Sequence, residues 1–493
     1  MNKHERLITI AVFLLSLAVF SLARSRYVGL GSTGTSQALL LTGDEPAYLM
    51  LTHSLVTDGD FNLYNNCVER DGRFFGRPQS GGHAARTDRE KKELYSIHTP
   101  GLAILLAPVY AMGLHGPIAP RPAVCLFLNF LGALLAVNVY LYCISIAGNG
   151  EADALTRRKQ CLALAATAAV VLTPPVIFYS NLAYPELPGA LLLLYALRQA
   201  IQRASHRTHT HILASLAVAF LPWLSFRFLP AALIVTWLLS RSGMAGRGRA
   251  WSARLLPFAA LVVSLLSLLY YQYCAFGTIS LAGGYAAQDW ARRGYFNSGI
   301  VNGLLGIVLD QGHGLFAWSP VYILSITGLI LLIRERRDQG LRLAIVLCVL
   351  YLPGASFAHW WGGFSPPPRF MVVVAPLLGG ALCYAIDRIP RRSFSILFGL
   401  LLCVSLYFGY MGCMHPSKLY RHKHIITNYH PRLMGRIFPS FMRHRRSTWP
   451  LTVLWLSAIF LLNRHYLRGH DSTPIPPHLS FPQHARGGYN IVT

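Results

Sequence analysis

Long apolar runs alternate with short polar segments along almost the whole chain. A helix needs about 20 apolar residues to cross a hydrocarbon core of about 30 Å. On that measure the candidate spans are 7–24, 122–147, 161–180, 187–201, 212–226, 228–240, 255–276, 316–333, 342–358, 371–386, 393–411 and 449–463. The pattern predicts an all-α fold, a polytopic transmembrane helix bundle of about 11–13 spans. Pro222 and Pro230 make 212–240 either two short spans or one broken span. Such breaks are tolerated where the backbone lines a cavity. The first run follows Lys3 and Arg6, lacks an A-x-A cleavage site, and reads as an uncleaved signal anchor.

One apolar stretch, Thr99 to Gly113 (TPGLAILLAPVYAMG), is short for a span and is read as an interfacial helix, 99–113. Charge decides this. If it does not cross, the basic loops 148–160, 202–211, 241–254, 334–342 and 387–392 share one side with Lys3 and Arg6. That is the positive-inside arrangement. The opposite face then receives 25–121, a large first external loop carrying juxtamembrane helices. It also receives the turn near 181–186 and the loops 277–315 and 359–370. Segment 412–448 falls there too, although it is rich in Arg, Lys and His; long loops translocate despite charge. The organisation expected is one membrane domain, 1–465, and a disordered Pro- and His-containing tail, 466–493.

Composition agrees with a membrane chain. Of 493 residues 53% are hydrophobic and 13% charged, with a mean hydropathy of +0.41. Soluble chains carry about 25% charged residues. The net charge of +25 resides in the loops between apolar runs, so it does not point to nucleic acid. Nine cysteines are scattered without a CxxC. Cys125, Cys143, Cys161, Cys348, Cys383 and Cys403 sit in apolar runs and read as small buried hydrophobes, while Cys67 lies in a polar loop. Neither a disulfide framework nor a zinc site is implied. Walker A, strand-linked GxGxxG, HExxH and GxSxG patterns are missing, so nucleotide-driven transport and serine hydrolysis lose support.

The chemically unusual residues gather in the external segments. Gly43-Asp44-Glu45-Pro46 sets two carboxylates before a short helix. Asp44 could cap that helix with Pro46 in its first turn, or serve acid–base chemistry at the membrane edge. Glu186, in Tyr184-Pro185-Glu186-Leu187-Pro188, is the carboxylate of the turn at 181–186; an acid between apolar helix ends is expensive unless paired or functional. His98 opens the interfacial helix, and Asp310 precedes Gln311-Gly312-His313-Gly314. His359, Trp361 and Arg369 belong to HWWGGFSPPPRF, whose Trp pair also suits an interfacial belt. Arg369 and Arg227 stand on the side that the positive-inside rule disfavours, and a guanidinium there suits a phosphate.

These pieces, in this order, resemble the C-type polytopic glycosyltransferase superfamily, in particular bacterial relatives of protein O-mannosyltransferase and the lipid A aminoarabinose transferase. The likeness runs over roughly 7–390: a first span, the acidic pair Asp44 and Glu45, His98-Thr99-Pro100 before a juxtamembrane helix, Glu186, and Arg369-Phe370. The aminoarabinose transferases carry Lys-Pro where this chain has His98-Thr99-Pro100. The resemblance implies inverting transfer of a hexosyl or pentosyl unit from a polyprenyl-phosphate sugar at the outer, periplasmic face of a bacterial inner membrane. The acceptor is a glycan, a lipid or a protein. It implies catalytic or orienting roles for Asp44, Glu45 and Glu186, and donor-phosphate contacts for Arg369, Arg227 and His98. Asp310, His359 and Trp361 are further cavity candidates. Members of the superfamily differ in metal use, so a divalent metal on the carboxylates stands as an alternative. A lipid-linked sugar flippase, or a surface-glycan polymerase or ligase, is the competing reading.

Overall fold

The computed structural model describes residues 3–29, 43–69, 84–88, 90–148, 157–201, 208–242, 251–287, 299–420, 429–443 and 446–471. The fold is an all-α polytopic bundle. Among the described residues five helices are each long and apolar enough to cross a membrane: Lys3–Arg24, Pro120–Ala147, Ala253–Phe276, Arg337–Ser356 and Arg392–Met414.

The chain opens with α1 (Lys3–Gly29). Then come α2 (Glu45–Thr57), a hairpin of β1 (Ala84–Asp88) and β2 (Glu93–Ser96), and α3 (Gly101–His115). The hairpin is antiparallel, with Ala85 opposite Tyr95, and was not legible in the sequence as strands. Helix α3 covers the stretch read as interfacial. It packs between α2 and α4 (Pro120–Ala147), and Gly101 lets its start press onto the Trp223 backbone.

Several apolar runs are broken by proline. Run 161–180 divides into α5 (Arg157–Val171) and α6 (Val176–Tyr179) around Pro174-Pro175. After α7 (Glu186–Ile201), run 212–240 becomes α8 (Thr208–Leu224), a turn at Phe226–Phe228 and α9 (Leu229–Ser242). The run is thus two short helices joined by a turn, with α8 and α9 packed on each other. Next come α10 (Trp251–Phe276), α11 (Gly283–Ala287) and α12 (Ile300–Leu309). The last two lie in what was read as loop 277–315. Pro320 splits run 316–333 into α13 (Leu315–Trp318) and α14 (Ile323–Glu335). The chain continues through α15 (Arg337–Ser356), α16 (Ala375–Arg388), α17 (Arg392–Met414), α18 (Pro431–Ile437) and α19 (Thr448–Asp471). Since α19 reaches Asp471, the first residues of the expected tail are helical; 472–493 lie outside the described residues.

Three of the basic segments, 148–160, 334–342 and 387–392, meet at one end of the bundle. Arg336 donates to the carbonyls of Ile146 (2.6 Å) and Gly148 (2.8 Å). Arg158 pairs with Asp387 at 2.7 Å and Arg388 with Glu335 at 2.8 Å. The end of α19 returns to that end, where Tyr466 packs edge-on against Phe394 at 4.9 Å. Helices α7 and α16 begin at the other end, and α15 finishes there. Cys125, Cys143 and Cys383 are buried as expected, whereas Cys161, Cys348 and Cys403 lie on exposed helix faces. A face turned to lipid favours the same small apolar side chain that a core does, so sequence does not separate the two.

Candidate active site

Four chain breaks at the end opposite the basic loops build one polar centre. Asp44 sits in the turn before α2 and Glu186 is the first residue of α7. Arg227 sits in the turn between α8 and α9, and Arg369 opens a short helical turn before α16. Helix ends place these side chains because no helical neighbour shields them.

Arg369 is the hub. Its Nη1 pairs with Asp44 Oδ2 at 2.5 Å and its Nε with Glu186 Oε1 at 2.7 Å. Arg227 also donates to Glu186 Oε1. The two guanidinium groups lie over aromatic rings: Arg369 over Tyr184 at 4.7 Å, Arg227 over Phe370 at 4.7 Å. Two arginines and two carboxylates balance in charge. Glu186 is fully buried beneath the pair, and among the described residues its Oε2 has no hydrogen-bond partner.

Asp44 does not cap α2, because its side chain makes no cap hydrogen bond. Its carboxylate turns to Arg369, and its backbone N–H donates to Tyr184 Oη at 3.2 Å. Gly43 allows this turn. Its φ is +64°, and a Cβ there would lie 2.7 Å from the Phe364 carbonyl oxygen. A side chain would be strained twice over.

Above the ion pairs lies a cavity of ≈ 720 Å³. Asp44, Arg227, Arg369, His98 and His359 line it, with Tyr48 and Tyr285. The rest of its wall is largely apolar, with Phe226, Ile300, Leu352, Phe357, Phe364 and Phe370. His98 stacks on Tyr48, ring centroids 4.6 Å apart. Burial holds the His359 imidazole below its ordinary pKa, so the ring is neutral at pH 7. Burial, reinforced by Asp44, pushes the Tyr285 hydroxyl up to about 12, and it stays protonated as a donor.

Four candidates from the sequence are not on the cavity wall. Glu186 lies one layer below, as described. Glu45 follows Asp44, but successive helical residues point about 100° apart. It is fully buried, facing Arg121 at 3.4 Å and the backbone N–H of Ala183 at 3.3 Å. Burial raises its carboxyl pKa against the pull of Arg121. Asp310 is consumed locally: Oδ1 accepts from the N–H of Gly312 (2.9 Å) and His313 (3.1 Å), and Oδ2 from Phe441 (2.8 Å). It pins the start of α13 to the segment after α18. Trp361 stands behind His359 at 4.8 Å, ring to ring. Among the described residues no three or more His, Cys, Asp or Glu side chains gather as metal donors. Asp44 and Glu186 are bound by guanidinium groups and Glu45 faces Arg121, so these carboxylates do not form a metal donor set.

Sequence reasoning missed Tyr48, Tyr184, Tyr285 and Phe364. Tyr48 stands one helical turn after Asp44, a spacing that carried the signal. Tyr285 lies in the five-residue α11 and Phe364 in an irregular segment, both too short or irregular for periodicity to mark a facing side.

No family model and no curated protein matches this chain. Solved structures of the oligosaccharyltransferase of Archaeoglobus fulgidus match this chain at low identity. The apo form is 12% identical over 83% of this chain and 57% of that one, with a TM-score of 0.44. The complex with an inhibitory peptide and a dolichol-phosphate is 11% identical over 86% of this chain and 57% of that one, TM-score 0.46. The form tethered to an acceptor peptide containing the NVT sequon is 12% identical over 83% and 56%, TM-score 0.44. This chain spans a little over half the length of those proteins.

Proposed function

We propose that the protein is a membrane glycosyltransferase that moves a sugar from a polyprenyl-phosphate donor to an acceptor at the outer face. The observation that carries the reading is the Asp44–Arg369 ion pair, 2.5 Å, at the edge of a cavity that also holds Arg227. An acid beside guanidinium groups in a largely apolar chamber suits a sugar phosphate with a lipid tail. The acceptor hydroxyl attacks the sugar C1 from the face opposite the phosphate. The C1–O bond breaks, its electron pair leaves with the polyprenyl phosphate, and the acceptor proton passes to Asp44. The anomeric configuration inverts. Orientation matters as much as proton transfer here, because holding the reactants in line removes entropy from the barrier.

The two arginines divide the work. Arg369 has Nε on Glu186 and Nη1 on Asp44, with the Gly362 carbonyl 3.4 Å away, so it positions Asp44. Arg227 lines the cavity with Glu186 as its hydrogen-bonding partner among the described residues, and its guanidinium is assigned to the donor phosphate. Glu186 anchors both, and Glu45 braces the start of α2 rather than touching substrate. His98, on the wall beside Tyr48, is a second donor-side contact.

This assignment separates kinetically. Arg227→Lys keeps the charge but loses the planar fork. It should raise the donor KM by about 10- to 100-fold, the scale of a charged hydrogen bond, with kcat little changed. Arg369→Lys should lower kcat with the donor KM little changed. Steady-state kinetics with a polyprenyl-phosphate sugar reads both, and the reverse pattern would exchange the roles.

A further inference from the structure

Resting on that reading, we infer that the Gly362-Gly363-Phe364 ledge is a pyranose-binding subsite in which the Phe364 ring stacks on the apolar C–H face of a sugar. The ledge is built rigidly. The Gly362 N–H donates to the His359 carbonyl at 2.8 Å, and Ser365 Oγ donates to the Gly362 carbonyl at 2.6 Å. Tyr179 Oη holds the Pro366 carbonyl at 2.8 Å. Gly362 has φ +91°, and a Cβ there would meet the Arg369 side chain at 2.8 Å. The Phe364 carbonyl rests against Gly43, next to Asp44.

Gly362, Gly363 and Phe364 all line the cavity. Gly363 has φ +65° and nothing within 4 Å of where a Cβ would stand. Phe364 lines the cavity and is 47% exposed, whereas Trp360 in the same segment is buried. A fixed backbone that leaves one large ring exposed beside the ion pair offers a flat apolar face. A pyranose matches it, with C–H groups on one face and hydroxyls at the rim. His359 and Tyr285 stand on the same cavity to meet hydroxyls. Ligand sites of this kind are mostly apolar with a few placed polar groups. The ring could be that of the donor sugar or that of a glycan acceptor; the chemistry recognised is the same.

The test uses full-length protein in detergent and four variants: Phe364→Ala, Phe364→Leu, Phe364→Trp and Arg227→Ala. The probes are a polyprenyl phosphate without sugar, hexosyl and pentosyl polyprenyl phosphates, and free oligosaccharides. Phe364→Ala and Phe364→Leu should each weaken binding of the sugar-bearing lipid about tenfold and leave the sugar-free lipid unchanged. Phe364→Trp should bind like wild type, and Arg227→Ala should weaken both lipids. A tenfold rise confined to the KM of a glycan acceptor would equally support the ledge and assign it to the acceptor ring. Equal loss for both lipids, full rescue by leucine, or no change with any sugar would overturn the inference. Wild-type protein that binds no polyprenyl phosphate would instead remove the functional reading. The ledge is then judged on oligosaccharide binding alone: Phe364-dependent binding supports it, and its absence overturns it.

Discussion

Asp44→Asn is expected to leave the protein folded and lower turnover by about 10²- to 10⁴-fold, the usual cost of losing a general base. The substitution is nearly isosteric, and its amide oxygen still accepts from Arg369. It cannot take the acceptor proton at neutral pH. The cap explanation no longer competes, since the Asp44 side chain makes no cap hydrogen bond to α2. Its structural partner is Arg369, at the cavity edge where Asp44 is 16% exposed. Losing one charge there costs far less stability than activity. The measurement is release of sugar from a polyprenyl-phosphate donor, beside thermal unfolding of the same preparation. Unchanged turnover would take Asp44 out of the mechanism.

Glu186→Ala should act in the opposite sense, through stability. Glu186 is fully buried and compensates Arg227 and Arg369 together. Removing one partner of a buried ion pair typically costs about 3–5 kcal/mol, because the remaining charge is left uncompensated. Here two guanidinium groups lose that partner. Glu186→Gln keeps an acceptor oxygen and should cost less. Thermal unfolding in detergent should rank wild type above Gln and Gln above Ala. Equal stability of all three would mean that Asp44 and the aromatic neighbours hold the two arginines without help from Glu186.

The sequence carried the helical architecture because lipid imposes a simple rule of long apolar runs. It also carried the break in 212–240, marked by Pro222 and Pro230, but 161–180 and 316–333 read there as continuous spans although Pro174-Pro175 and Pro320 divide them. It pointed to Asp44, Arg227 and Arg369 because a charged group at an apolar helix end needs a reason. It did not separate Asp44 from Glu45. Adjacent carboxylates look alike in a string, and the rotation of a helix sends one to the cavity and the other to Arg121. Asp310 misled for a similar reason: three backbone N–H groups consume its oxygens, and backbone donors leave no trace in a sequence. The hairpin at 84–96 was hidden because its short strands sit in a polar loop.

The central claim is transfer rather than translocation. The most direct measurement follows one labelled polyprenyl-phosphate sugar in sealed vesicles containing the protein and an acceptor extract. The proposed function predicts label leaving the lipid, appearing on the acceptor with inverted anomeric configuration, and polyprenyl phosphate remaining, with all three slowed about 10²- to 10⁴-fold by Asp44→Asn. Label that stays on its lipid and moves to the opposite leaflet would contradict it and establish a flippase.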